Sequence, residues 1–339
     1  MEKKLNRRFI IALIITIVLF VVFFIMALML GRYPIKIGDF FKAVFTNDET
    51  AEVQRSIIGR LRLPRTIMAA MVGIGLSLSG LLYQETFKNK LVSPDLLGVS
   101  AGASTGAAIA IVLGLSSLFI SVFAFISGVI TVFATLLIAK LFKNGSSTTL
   151  LLSGVIVGGL MSSILSFIKY FADPQTTLAS ITYWLMGSFE GATMNQAYIL
   201  VGVIGICSVA LIVLSFRIYL VSLGRQAAQT KGINYIFYRY LIIGIATLLT
   251  AISVCFCGTV SWIGLVIPHI VRLLVGHNTK RTIPLAITIG GSFMVITDVI
   301  SRSFVDSEIP LSAVTGLFGT IIFVIILFVR RRDIYERQD

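Results

Sequence analysis

The residues able to do chemistry are few in this chain and widely spaced. The two histidines, His269 and His277, stand eight residues apart with no carboxylate near either. A metal site needs three or four converging His, Cys or carboxylate ligands, and this spacing does not supply them. The three cysteines, Cys207, Cys255 and Cys257, all fall in apolar segments, where a thiol packs as a small hydrophobe. No G-x-x-x-x-G-K-[ST] motif occurs, so the chain has no P-loop with which to cradle a nucleotide phosphate. No catalytic cluster emerges, no cofactor is implied, and an enzyme is excluded as the reading. Ionisable groups inside apolar stretches would mark an ion-coupled transporter. Here only Asp298 and Lys169 come close, and both read as charges snorkelling at the ends of spans.

These few polar groups are set in a chain of 339 residues that is 57% hydrophobic and only 13% charged. A soluble domain carries about a quarter charged residues. Residues 9–31, 96–139, 146–168, 191–216, 241–271 and 309–329 contain no Asp, Glu, Lys or Arg. Crossing the hydrocarbon core takes roughly 20 apolar residues as a helix, the form that satisfies its own backbone in lipid. The alternation of a membrane barrel is absent. The first apolar stretch is too long for a signal peptide and is read as a retained span.

The net charge of +13 is distributed as in a membrane protein rather than a nucleic-acid binder. Lys3, Lys4, Arg7 and Arg8 precede the first span and Arg330, Arg331 and Arg332 follow the last, which predicts both termini in the cytoplasm and an even number of spans. The reading gives ten: about 9–31, 64–84, two within 96–139 broken at residues 114–117, then 149–171, 193–216, 240–257, a short or broken eighth around Gly264 and Pro268, 284–300 and 310–330. Residues 175–189, with Tyr183 and Trp184, form a short interfacial helix, and 217–239 is the most polar interior segment. In this topology the cytoplasmic segments hold 19 of the 28 Lys and Arg, while residues 32–65, on the outer side, hold seven against the trend. Gly98, Gly102 and Gly106 recur every fourth residue, as do Gly154 and Gly158, leaving a helix face to which a neighbour can approach closely.

Several stretches together resemble one family. Gly80-Leu81-Leu82-Tyr83-Gln84, Asn89, Leu91 and residues 94–103 (Pro-Asp-Leu-Leu-Gly-Val-Ser-Ala-Gly-Ala) are similar to the signature of FecCD-type permeases. So are Arg62-Leu63-Pro64-Arg65, Leu223-Gly224 with Ala228 and Gly232-Ile233, the block at 258–272, and Ile309-Pro310-Leu311 with Val314-Thr315. Lys90, Arg225 and Gly319-Thr320-Ile321 depart from its pattern.

The resemblance implies an all-α integral membrane protein of about ten transmembrane helices with the cobalamin-importer-like permease fold, residues 1–339 making a single transmembrane permease domain in the cell membrane. It implies the permease subunit of an ABC importer without its own ATP-binding motif. Its expected partners are a cytoplasmic ATP-binding subunit, an extracytoplasmic substrate-binding lipoprotein or periplasmic protein, and a second permease subunit, alike or related. Iron-siderophore is the favoured cargo, being the commonest in the family, with heme and cobalamin as alternatives. An ion-coupled secondary transporter is the rival from another class. The coupling contact with the ATPase is expected at Leu223, Gly224, Ala228, Gly232 and Ile233, within the cytoplasmic segment 217–239. Docking of the binding protein is expected at Arg62, Arg65 and Arg302, whose planar forks suit carboxylates. A cytoplasmic gate is expected at Asn144, Gly145, Ser146 and Ser147, and the outer mouth beside 176–189.

Overall fold

The computed structural model describes residues 2–46, 51–142, 146–305 and 307–335. Among these, every regular element is helical, and eight helices are long and apolar enough to cross a membrane. The chain runs through α1 (Glu2–Met29), the amphipathic α2 (Ile37–Phe45) and α3 (Glu52–Ser56), which passes through a π-helical turn (Ile57–Arg62) into α4 (Leu63–Phe87). A 3₁₀ turn (Pro94–Leu97) leads to α5 (Val99–Val112), followed by α6 (Ser117–Leu141), α7 (Ser147–Phe171), the short α8 (Thr177–Met186), α9 (Met194–Leu223) and α10 (Arg225–Thr230). Then come α11 (Tyr235–Cys257), α12 (Ile263–Val275), α13 (Thr279–Ser303) and α14 (Leu311–Tyr335). The two helices too short for the membrane by themselves, α5 and α12, occupy the places read as the third and eighth spans, so all ten have a counterpart.

Local sequence fixes the ends. Pro64 sits in the first turn of α4, where its missing N–H costs nothing. Thr193 and Gln196 close a capping box at α9, and Asn234 and Ser146 accept from Phe237 N (3.1 Å) and Thr149 N (3.1 Å) to start α11 and α7. α1 and α13 start on one side of the bundle, joined there by Arg281 Nη2 donating to Asn6 Oδ1 at 2.7 Å; this is the proximal side, and the opposite one, where Arg302 reaches Ala27 O, is distal.

α4 is the axis of the molecule. It packs against α9, α11, α12 and α13, and it is almost entirely buried. In lipid, apolar side chains gain little by leaving one hydrocarbon for another, so helices associate where backbones can approach. Glycines allow this along α4. A Cβ on Gly73 would lie 2.2 Å from the Gly290 carbonyl oxygen of α13, and one on Gly80 would lie 1.8 Å from that of Gly264 in α12. Gly102 and Gly106 pack the same way against α6, while Gly98 is not part of the helical stripe. It takes φ +83° to join the 3₁₀ turn to α5. Polar side chains lock α4 to α11: Ser79 meets Thr250 (2.6 Å) and Tyr83 meets Thr247 (2.9 Å).

Replacing Gly80 with Val should therefore push α4 and α12 apart. We expect a loss of about 1–3 kcal/mol, the usual range for overpacking, read as a lowered unfolding temperature in detergent. Gly202→Val on α9, where a Cβ meets nothing within 4 Å, should stay within about 0.5 kcal/mol of the parent.

Candidate functional site

The structure gathers the predicted site residues at two ends of the bundle. At the distal end Arg62, Arg65 and Arg302 lie side by side, but their guanidiniums are already engaged. Arg62 donates to the carbonyls of Leu28 (3.0 Å), Met29 (2.7 Å) and Tyr33 (2.5 Å), sealing the carbonyl end of α1. Arg302 donates to Ala27 O (2.5 Å) and pairs through Nε with Asp298 Oδ2 at 3.1 Å, one helical turn away. Arg65 spans two carboxylates: Nε to Asp298 Oδ1 at 2.7 Å, and a two-pronged grip on Glu308 at 2.5 and 3.0 Å. Ser188 donates to the same Glu308 at 3.2 Å. The expectation of three arginines offered outward is thus corrected in its geometry: all three are buried.

Asp298 is corrected too. It does not snorkel, because its carboxylate is wholly enclosed between two guanidiniums. Glu308, on the loop before α14, is the partner most open to solvent, at 20%. Burial works to raise its pKa, but the hydrogen bonds and charge of Arg65 outweigh this and hold it below the usual carboxylate range. The network borders a distal cleft of about 340 Å³ that also takes in Arg32 and Glu190.

At the proximal end α9 runs further than expected, to Leu223, so the polar segment shrinks to residues 224–234. Gly224 (φ +110°) ends α9, α10 follows at once, and Gly232 (φ +71°) turns the chain toward α11. Ala228 does not offer a small outer surface. It is 0% exposed, and its carbonyl accepts Ile233 N at 3.0 Å to close the turn. The exposed side chains of α10 are Arg225, Gln226, Gln229 and Thr230. Leu223 is half exposed, Ile233 partly so.

The gate residues divide. Ser146 and Ser147 form the ordered start of α7, with Ser146 capping the helix and Ser147 Oγ accepting from Arg239 at 3.3 Å. Asn144 and Gly145 lie outside the described residues. The interfacial helix is found as α8, tied at its end by the Leu311 N to Gly187 O bond at 3.0 Å. Residues 98–102 do spell G-x-S-x-G, which a search for nucleophiles must consider. Ser100 follows a 3₁₀ turn rather than a strand, and its hydroxyl donates to Asp95, so this is no nucleophile elbow.

One feature of α7 was not foreseen. Its inner side packs through Ser153, Gly154 and Val157, while Gly159, Ser162, Ser163 and Ser166 lie exposed along the opposite face. Leu152, Val155 and Ile156 continue that face toward the start of α7, and Leu160, Ile164 and Phe167 are exposed beside it; exposed positions on α9 include Ile206, Val209 and Val213 as well as Gly202.

Removing the central carboxylate tests the distal network. Asp298→Asn leaves two buried guanidiniums without their shared counter-charge, and breaking a buried pair in this way costs about 3–5 kcal/mol. The variant should be recovered in much reduced folded yield, with a lower unfolding temperature. Unaltered thermal stability would show that the network is not structural.

Comparison with known proteins fits this arrangement. The FecCD transport family matches residues 19–329. The chain is 35% identical to the molybdate import system permease protein MolB of Haemophilus influenzae, over 93% of this chain and 94% of that one. It is 34% identical to the probable iron chelatin transport system permease protein of Helicobacter pylori strain 26695, over 84% and 86%. It is 31% identical to the vitamin B12 import system permease protein BtuC of Citrobacter koseri, over 98% and 97%. A solved inward-facing transporter assigned to the metal-chelate ABC type superposes with a TM-score of 0.84 at 34% identity, covering 93% of this chain and 98% of that one. A multi-pass helical chain matched over nearly its whole length by these permeases belongs to the FecCD transport family, and it is the permease of an ABC importer.

Proposed function

We propose that this chain carries an iron-siderophore complex across the cytoplasmic membrane as one of two permease subunits, with residues 1–339 acting as one permease domain. The observation that carries the reading is the face of α7. Over the second half of its exposed side α7 turns small and hydroxylated groups outward at Gly159, Ser162, Ser163 and Ser166, beside the apolar Leu160, Ile164 and Phe167. Two of these hydroxyls are satisfied by their own helix, Ser163 by Gly159 O (3.0 Å) and Ser166 by Ser162 O (2.9 Å). Such a face suits a second copy and a wet passage between the two better than lipid. It carries no fixed charge, as befits a bulky chelate that must be released rather than held. The resemblance to an iron chelatin permease supports the same cargo.

The remaining assignments follow from this one. The proximal side, with its basic termini, is cytoplasmic by the positive-inside trend. There α10 meets a separate ATP-binding subunit through Arg225, Gln226 and Gln229, while Leu223, Gly224, Ala228, Gly232 and Ile233 hold α10 in shape. The gate is at residues 144–147, of which Ser146 and Ser147 open α7. An extracytoplasmic binding protein docks over the distal cleft. Of the three arginines, Arg65 is the one an incoming carboxylate reaches, by exchange with Glu308, whereas Arg62 and Arg302 brace it from within. Molybdate is the second reading, favoured by the likeness to MolB across 93% of the chain.

Uptake decides between them. In proteoliposomes holding the permease, its ATPase and its binding protein, a radiolabelled ferric siderophore should accumulate only with ATP inside, and excess molybdate or cobalamin should not compete. Accumulation of labelled molybdate without that of the ferric chelate would overturn the cargo.

A further inference from the structure

α4 ends on an unusual residue. Lys88 takes φ +51°, a left-handed conformation that side-chain-bearing residues rarely adopt, and it turns its amine toward α9. Lys88 Nζ donates to the carbonyl of Leu223 at 2.7 Å, the last residue of α9. At the next residue, Gly224, an added side chain would meet the end of this lysine. A Cβ would lie 2.3 Å from Lys88 Nζ and 3.2 Å from Lys88 Cε. Position 224 favours glycine for its positive φ, and a side chain there would displace the Lys88 amine from its seat. α10 starts at residue 225, with nothing between it and the seat.

One turn earlier, the same end of α4 is fastened to α12. Arg272 lies 3.5 Å from Glu85 Oε1, and its Nη2 donates to Gln84 Oε1. Gln84 in turn donates to Val92 O (3.2 Å) and Gly264 O (3.3 Å). The end of the axial helix is therefore a junction. It touches the end of α9 through the solvent-facing Lys88 and through Glu85, which also bonds Ser222, and it reaches α12 through the buried Gln84 and Arg272.

We infer that Lys88 is a positioning residue for energy coupling: it ties the base of α10 to α4, so that displacement of α10 by the ATPase is passed to the axial helix and through Gln84, Glu85 and Arg272 to α12. The inference rests on the reading of α10 as the ATPase contact. Two features favour a coupling role over a merely structural one. The contact is exposed, where one hydrogen bond adds little to stability. It also fastens α4 to the last residue of α9, next to the hinge at Gly224 from which α10 starts.

The test uses the full complex of permease, ATPase and binding protein in proteoliposomes, with ATP hydrolysis and cargo uptake measured on the same sample. Lys88→Met keeps the length and removes the donor, and Lys88→Arg restores a donor. The expected result is a rise of at least roughly fivefold in ATP hydrolysed per cargo molecule for Lys88→Met, the lower end of measured coupling between sites. The unfolding temperature should stay at that of the parent, and Lys88→Arg should return the ratio to within about twofold of the parent's. An unchanged ratio in Lys88→Met overturns the inference. So does a fall in unfolding temperature that accounts for the loss, since that makes the lysine structural. Gln226→Trp on the open face of α10 separates the two claims. If the ATPase still co-purifies with that variant at full yield, the reading of α10 is at fault. If co-purification is lost there while Lys88→Met couples normally, α10 stands and only the lysine link fails.

Discussion

The backbone of α4 approaches its neighbours so closely that no side chain fits between them, and the rest of the structure is arranged around that constraint. At Gly73 with Gly290 and Gly80 with Gly264, added carbons would lie about 2 Å from carbonyl oxygens of α13 and α12. Bilayer hydrocarbon offers no hydrophobic reward for bringing helices together, so van der Waals contact over a close approach must supply it. With α4 enclosed on every side, its two ends become the places where the bundle can be held or moved. The distal end is clamped by charge, through Arg65 onto Asp298 and Glu308. The proximal end carries Gln84, Glu85 and Lys88, which reach α12 and the end of α9.

Most of the architecture was legible in the sequence because it rests on a one-dimensional signal. Runs without charge marked the spans, and proline and glycine marked their ends. The interruption by Gly258, Gly264 and Pro268 told of a short or broken helix; the structure shows a short one, α12, entered through Trp262 at φ +71° and running unbroken through Gly264 and Pro268. The short α5 was visible in the same way, from the break at 114–117. What composition missed was the length of α9, since Arg217 lies within the helix and its cation rests over the Tyr238 ring, 5.4 Å from the centroid, instead of ending the span.

The site was less legible, and the reason is pairing. A basic cluster against the positive-inside trend was plain to see, but its meaning depended on partners far along the chain. Arg65 meets Asp298 and Glu308, each more than 230 residues away. Only the Asp298–Arg302 pair had a local signal, the spacing of four on one helix. Ala228 was misjudged for a similar reason. Its small side chain suits an outer contact as well as an inner one, and only the fold of 224–233 shows it turned inward. The hydroxyl face of α7 was present in the sequence as Gly159, Ser162, Ser163 and Ser166, yet it meant nothing until Gly154 and Val157 fixed which side was covered.

The central claim is that this face of α7 borders water between two permease subunits. Thiol labelling tests it directly, because a charged, membrane-impermeant reagent reacts only where water admits it, and the native cysteines are all buried. In the assembled importer Ser163→Cys should label rapidly and lose uptake on labelling, whereas Val213→Cys, exposed on α9, should resist. Equal and slow labelling at both positions would place α7 against lipid or in a dry contact, and would contradict the account.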